Sequence, residues 1–462
     1  MHSECCDRTA IAATGEFAVY KSSVIFSTSE VAEIVGGTVH GSVCTIEGAS
    51  IDSRSVAEGA LFVPIVAERD GHDFIDNAMA SGAAAYLSAG PTTAGPGVLV
   101  ADTAAALTEL GRASRRRLSG PVIGVTGSVG KTSVKDLLLA AMGGVRRVHA
   151  NPASFNNELG LPLTLVNAPD DTEVTVLEMG ARGIGHIAEL CGIGSPTIGI
   201  VTRVAGAHTE LFGSLEGVAQ GKGELVECLP ADGTAVLNAD DHRVAAMASR
   251  TKATVITYGS DGDVRVSDLR LDGAMRPTFT VTTPWGSTDI ALGLAGKHMA
   301  YNAAAAIAAG GAAGVDLAAM KQGLEAAPAS AWRMEVATAA SGATIINDAY
   351  NANPASVRAA LAALLDSESP RRTAVLGVMA ELGDEHDEEH LAIAVEVVAA
   401  GVRLIAVDAA TYGSDAEHVA SIDEAQAALG ALDRQDAVLV KGSRIAGLER
   451  LAAILLGAPA GE

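Results

Sequence analysis

Aromatic residues are nearly missing from this chain of 462: two Trp, six Tyr and seven Phe. Large rings cannot fill the interior, so Ala, Val, Leu and Ile must pack it at close range. Hydrophobic residues still make up 48% of the chain, enough for sizeable cores, and the length suits about three domains. Cysteine is scarce as well. Cys5, Cys6, Cys44, Cys191 and Cys228 form an odd set without regular spacing, which argues against a disulfide framework or a zinc site and suits a reduced cytosol. Positive charge is short: 32 Lys and Arg against 55 Asp and Glu leave a formal charge of −23. Such a surface repels phosphate backbones and anionic lipid, so neither nucleic acid nor membrane is an expected partner. An anionic substrate would need basic residues gathered inside a cleft. No apolar run reaches the length of a membrane span. Residues 1–23 lack the apolar centre of a signal peptide and read as a disordered tail.

What is present begins with Thr126-Gly127-Ser128-Val129-Gly130-Lys131-Thr132-Ser133. An apolar run, Val122 to Val125, precedes it, and a helical pattern, Val134 to Met142, follows. Strand, glycine loop and helix N-terminus in that order make a phosphate cradle, because backbone N–H groups and the helix dipole both face an anion. Lys131 can reach terminal phosphates of a nucleotide and the Thr132 hydroxyl can ligate Mg²⁺. The spacing is shorter than the common P-loop, and the bland alternative is a glycine-rich turn with an exposed lysine.

Around this loop the pattern predicts an α/β chain of three domains. Residues 24–118 form a small α/β N-terminal domain, with strands at Leu61–Val63 and Ala84–Leu87 and a helix at Asp73–Met79. Arg115-Arg116-Arg117 before Ser119-Gly120-Pro121 reads as a solvated helix end at a boundary. Residues 119–328 form a central P-loop-type ATPase domain. Its β-branched runs Val174–Leu177, Ile198–Val201, Ala235–Asn238 and Val255–Tyr258 predict a parallel sheet covered on both faces. Residues 264–292 alternate like antiparallel hairpins and suggest an appended small sheet, and an alanine-rich helix, Asn302–Gly310, follows. Residues 329–462 restart the βα rhythm at Thr344, Ala374, Leu404 and Val438. That unit reads as Rossmann-like, but no G-x-G-x-x-G is present to indicate a dinucleotide.

A metal at Lys131-Thr132 needs oxygen ligands at neighbouring strand ends, and Glu178 closes a buried run. His208 follows the next strand, and alone it reads as structural. Composition alone makes Lys222 an exposed lysine. His386-Asp387-Glu388-Glu389-His390 approaches a metalloprotease H-E-x-x-H, but with Asp second and acids all around it reads as a solvated helix. A non-catalytic nucleotide-binding module is a further rival.

Taken together, Thr126–Ser133, Ser154 to Thr164, Glu178-Met179-Gly180, Ala207-His208, Lys222-Gly223-Glu224, Asn238 to Asp241 and Gly296-Lys297-His298 resemble the Mur ligase family. Arg333-Met334-Glu335 and Asp348 to Pro354 are similar to its D-alanyl-D-alanine-adding members, and Asp52-Ser53-Arg54 and Asp70 to Phe74 to their uridine-nucleotide domain. The resemblance spans about Thr28 to Lys441. It implies an ATP-dependent amide ligase of peptidoglycan precursor synthesis that joins D-Ala-D-Ala to UDP-MurNAc-tripeptide through an acyl phosphate, as a cytoplasmic monomer. It leaves open a ligase for another amine and another acid.

The resemblance also implies site roles. Gly127, Ser128, Val129, Gly130, Lys131, Thr132 and Ser133 would hold the ATP phosphates. Asn302, Asp348, Tyr350 and Asn351 would lie along the nucleotide, with Arg333 at its γ-phosphate. Two Mg²⁺ ions would be held by Thr132, Glu178, His208 and Lys222, the last as a carbamate formed with CO₂. Lys131, Lys222, His208 and Arg333 would be catalytic, and Ser53, Arg54, Asn156 and Asn157 would bind substrate. Departures from the family pattern are Pro64 to Arg69 in place of a loop with a Lys-Gly pair, and Arg203, Met299, Asn347 and Val378.

Overall fold

The computed structural model describes residues 25–90, 92, 95–152, 155–206, 212–329 and 331–457. The tail expected over residues 1–23 falls outside them. In the N-terminal unit five short strands form a sheet in the order β2 (Thr38–His40), β7 (Gly97–Leu99), β6 (Ala85–Ser88), β5 (Leu61–Phe62), β4 (Ala49–Ser50). Strands β1 (Ile25–Ser27) and β3 (Thr45–Glu47) pair separately. The helix expected at Asp73–Met79 is a 3-10 turn, Gly71–Phe74, continued by a helix, Ile75–Ala80. Leu61, Leu87, Val98 and Leu107 share a core with Leu163 and Val166 of helix Gly160–Val166, which seats this unit on the central one.

Helix Thr103–Arg117 begins where the Asp102 carboxylate accepts the N–H groups of Ala104 and Ala105, a side-chain N-cap. Its basic end is not simply solvated. The Arg115 guanidinium donates to the Leu118 carbonyl at the end of its own helix and to the carbonyls of Gly194 and Ser195, filling acceptors left open at the end of helix His186–Gly194.

The central sheet has nine strands. Their order is β16 (Gly286–Ala291), β15 (Pro277–Thr283), β14 (Val264–Leu271), β13 (Thr254–Gly259), β12 (Thr234–Asn238), β11 (Ile198–Val201), β8 (Val122–Thr126), β10 (Val174–Glu178), β9 (Val148–Ala150). Pairing is parallel from β9 across to β14 and antiparallel beyond. The hairpins expected as an appended sheet therefore continue the main one. They join it because β14 runs parallel to β13, with Tyr258 opposite Val264 and Gly259 opposite Arg265. Helix His298–Ala312 buries Ala303 through Ala309 against this sheet, and its small side chains allow the close approach that an interior poor in rings requires.

The C-terminal sheet runs β17 (Glu335–Thr338), β18 (Thr344–Asn347), β22 (Asp436–Lys441), β19 (Arg371–Leu376), β20 (Arg403–Val407), β21 (Glu417–Val419). All but β17 are parallel. Strand β22, last in the chain, lies between β18 and β19. Strand order reverses there, and α/β sheets bind ligands outside the carboxyl ends at such a point.

Candidate active site between the central and C-terminal sheets

Strand β8 ends at Thr126, and the chain turns through Gly127 to Gly130 into helix Lys131–Gly143. Gly127 has φ 148°, and a Cβ there would fall 1.9 Å from Thr202 Oγ1, so only glycine fits. The Ser128 N–H donates to the Arg203 carbonyl at 2.7 Å, its hydroxyl to the Ala205 carbonyl at 2.9 Å, and the Thr202 hydroxyl to the Val129 carbonyl at 2.6 Å. No side chain caps the helix, and its first turn carries no acid. Its N–H groups are thus left for an anion.

Glu178 lies beside this loop because β10 pairs with β8, Glu178 opposite Val125. Its buried carboxylate accepts the Thr132 hydroxyl at 2.8 Å on one oxygen and the Asn156 amide at 2.7 Å on the other. The Arg333 guanidinium reaches across from the C-terminal unit to Thr132 Oγ1 at 3.1 Å and stacks on the Tyr350 ring at 3.9 Å. Trp332 and Met334 flank it with φ of 58° and 51°, a strained pair bracketing the residue that crosses the cleft.

Two lysines share the site. Lys131 Nζ donates to the Gly127 carbonyl at 2.8 Å, and burial pushes its pKa down against the pull of Glu178. Lys222, on helix Leu215–Glu227, is 2% exposed, so the exposed lysine that composition suggests is a buried one. Its Nζ lies 5.8 Å from the Phe212 ring and makes no hydrogen bond or ion pair among the described residues. Burial first, and the charge of Lys131 second, push its pKa well below the ordinary lysine value.

These groups open on one cavity of about 1030 Å³, also lined by Ser133, Asn156, Asn157, Asn302, Asp348, Tyr350 and Asn351. Asp348 does not face it as a free acid. Its carboxylate pairs with Lys441 Nζ at 2.6 Å and accepts the Met334 N–H at 3.1 Å, while Lys441 also reaches the Asn351 carbonyl at 2.8 Å. Ser53 and Arg54 are not among the lining residues. Ser53 is buried with its carbonyl held by Asn77, and exposed Arg54 pairs with Asp52, holding that carboxyl down at about 2. His208 lies outside the described residues. Among the described residues no three His, Cys, Asp or Glu side chains cluster to hold a metal.

His390 is not on a solvated face. It is buried in helix His386–Ala399, with Nε2 accepting the Met379 N–H at 2.9 Å and Nδ1 against the His386 carbonyl at 2.6 Å. Neither ring nitrogen is left for a metal. Among the lining residues that the sequence reading did not single out for the site are Arg182, His186, Glu381 and Lys441. For Lys441 the only signal is an apolar strand that ends in a cation before Gly442, and for Arg182 a base in a glycine-rich loop after Glu178.

The Mur ligase middle domain matches residues 125–310, the Mur ligase glutamate ligase domain residues 332–444, and the Mur ligase family catalytic domain residues 45–118. The chain belongs to the Mur ligase family. Among Mur ligases it is similar to UDP-N-acetylmuramoyl-tripeptide--D-alanyl-D-alanine ligase of Mycobacterium tuberculosis, with 40% identity covering 93% of this chain and 97% of that one. The enzyme of the same name from Escherichia coli is 34% identical over 92% of this chain and 96% of that one. A crystal structure of MurF from Acinetobacter baumannii superposes with a TM-score of 0.86 at 28% identity, covering 94% of this chain and 99% of that one. A MurF ligase from Thermotoga maritima in complex with ADP gives 0.77 at 28% identity, covering 88% and 96%. The expected α/β architecture holds for this Mur ligase, an ATP-dependent ligase. Among the described residues no helix is long and apolar enough to cross a membrane.

Proposed function

We propose that this Mur ligase joins D-alanyl-D-alanine to UDP-N-acetylmuramoyl-tripeptide (UDP-MurNAc-tripeptide) at the expense of ATP, in peptidoglycan precursor synthesis, as a cytoplasmic monomer. Both named relatives carry that substrate pair, and neither favours another acid and amine. The observation that carries the chemistry is the 3.1 Å contact between Arg333 and Thr132, which brings the C-terminal unit onto the phosphate loop.

On this reading the ATP phosphates rest on the N–H groups of the loop, with Lys131 and Arg333 at the terminal phosphate, Asn302 beside Gly130 of the loop, and Tyr350 and Asn351 along the nucleoside. The substrate carboxylate attacks the terminal phosphorus, and the bond to the ADP oxygen breaks. Lys131 and Arg333 meet the charge that spreads over the transferring group. The dipeptide amine then attacks the acyl carbon, loses a proton and expels phosphate, leaving an amide. Arg333 comes from the other unit, so the site is complete only when the cleft is closed.

The donors present suit Mg²⁺. Thr132 and Glu178 offer hard oxygens 2.8 Å apart, and Lys222, whose burial favours the neutral amine, would supply a further anionic oxygen donor as a carbamate formed with CO₂. Two ions, held by Thr132, Glu178, His208 and carbamylated Lys222, would neutralise charge on the phosphate in transit. The direct test supplies ATP, Mg²⁺, UDP-MurNAc-tripeptide and D-Ala-D-Ala, omitting each in turn. Phosphate release should need all four, and turnover only with a different acid or amine would overturn the assignment.

A further inference from the structure

Five arginines line the cavity. Three are engaged: Arg333 with Thr132 and Tyr350, Arg358 with Glu389 and Glu396, and Arg444 with Glu449 and Trp332. The guanidinium groups of Arg182 and Arg203 make no hydrogen bond, ion pair or ring contact among the described residues. In a chain of net charge −23, a free guanidinium facing the cleft is a local exception, and its planar fork matches a carboxylate.

The two free arginines stand on opposite sides of the phosphate loop. Arg203 follows β11, the neighbour of β8 on the side of β12 and β13. Helix His298–Ala312, which carries Asn302, packs over those strands, and on the proposed function that side belongs to the nucleotide. Arg182 follows β10, the neighbour of β8 on the other side. A group that approaches the terminal phosphate from beyond the nucleotide must come from there.

The loop that carries Arg182 is fixed at both ends. At the near end the Gly180 N–H donates to the Asn156 carbonyl at 2.7 Å. At the far end the buried Glu224 carboxylate accepts the N–H groups of Gly185 at 2.5 Å and Ala188 at 3.0 Å. Glu224 sits two residues beyond Lys222 on helix Leu215–Glu227, so one helix both supplies the buried lysine and anchors this loop.

We infer that Arg182 binds a carboxylate of an acidic substrate and sets specificity for it, with Glu224 as the residue that positions its loop. This rests on the proposed function. The carboxylate is either a non-reacting one on the nucleotide-linked peptide or the C-terminal one of D-Ala-D-Ala. The experiment measures KM for ATP, UDP-MurNAc-tripeptide, D-Ala-D-Ala and the C-terminal amide of D-Ala-D-Ala in wild type, Arg182→Ala and Arg182→Lys. Arg182→Ala should raise KM for one acidic substrate by about ten- to hundredfold and leave KM for ATP unchanged, with Arg182→Lys between.

A rise for D-Ala-D-Ala that its amide does not share identifies the dipeptide carboxylate, and a rise for UDP-MurNAc-tripeptide identifies the peptide. Glu224→Gln should raise the same KM and add nothing further in the Arg182→Ala background. Additive effects there would overturn the positioning role. A wild type inactive on the pair removes the proposed function and this inference together. An active wild type whose acidic-substrate KM values survive Arg182→Ala, or whose KM for ATP moves instead, removes the inference alone.

Discussion

A buried lysine within reach of another lysine's charge is a costly arrangement unless one of them sheds its proton. Lys222 is the more affected of the two, since no carboxylate offsets its burial as Glu178 does for Lys131. Burial favours the neutral amine, the form that is nucleophilic toward CO₂, and so suits the carbamate proposed above. If the carbamate forms, Lys222→Ala should lose about a hundredfold or more in kcat, because it would remove that anion from the phosphoryl-transfer site. A small carboxylic acid in the assay should restore part of the rate by occupying the vacated space. Thermal denaturation of the variant should show no large loss, since the deleted amine pairs with nothing among the described residues. Full activity without the lysine would remove the carbamate from the mechanism.

The loop from Thr126 to Lys131 shows what an element can disclose before its surroundings are known. Its glycines, lysine and threonine act on an anion through local backbone geometry, so strand, loop and helix were legible from spacing alone. Gly127→Ala puts a methyl group against Thr202 Oγ1 at a φ of 148°. It should destabilise the fold by about 2 kcal/mol or more and raise KM for ATP, as read by denaturant titration and steady-state kinetics. An unchanged midpoint and KM would mean that the loop has room it is not seen to have. Other features depend on partners far away in the chain and could not be read so. Alternation marked residues 264–292 as hairpins, but only the register of Tyr258 on Val264 makes them part of the main sheet. Arg115 looked like a solvent-facing base until helix His186–Gly194 ended beside it. Lys441 reaches Asp348 only because the last strand inserts beside β18, and no local pattern encodes that insertion. Ser53 and Arg54 carry the family pattern in sequence yet stand apart from the cavity.

At the scale of the whole molecule, three histidines among the described residues are held toward their neutral form by burial: His149 and His298 in the central unit and His390 in the C-terminal one. Each has a folded pKa below the 6.5 of an unperturbed side chain. Above that value neither folded nor unfolded chain binds the proton, and their contribution to stability is fully present. As pH falls below it, the unfolded chain takes up protons that the folded one refuses, so stability declines until each folded pKa is passed. The slope is at most about 1.4 kcal/mol per pH unit for each histidine. Melting temperature should thus drop between pH 7.5 and 5.5, ahead of most carboxylate titration. His390→Gln separates this cause from others. Glutamine can still accept the Met379 N–H but cannot titrate, and it loses the edge contact with Tyr412 at 4.9 Å. The variant should begin less stable at pH 7.5 and fall less steeply on acidification. Two curves running parallel would show that His390 binds its proton equally in both states, and burial of His390 would then have to be dropped as a source of the acid sensitivity.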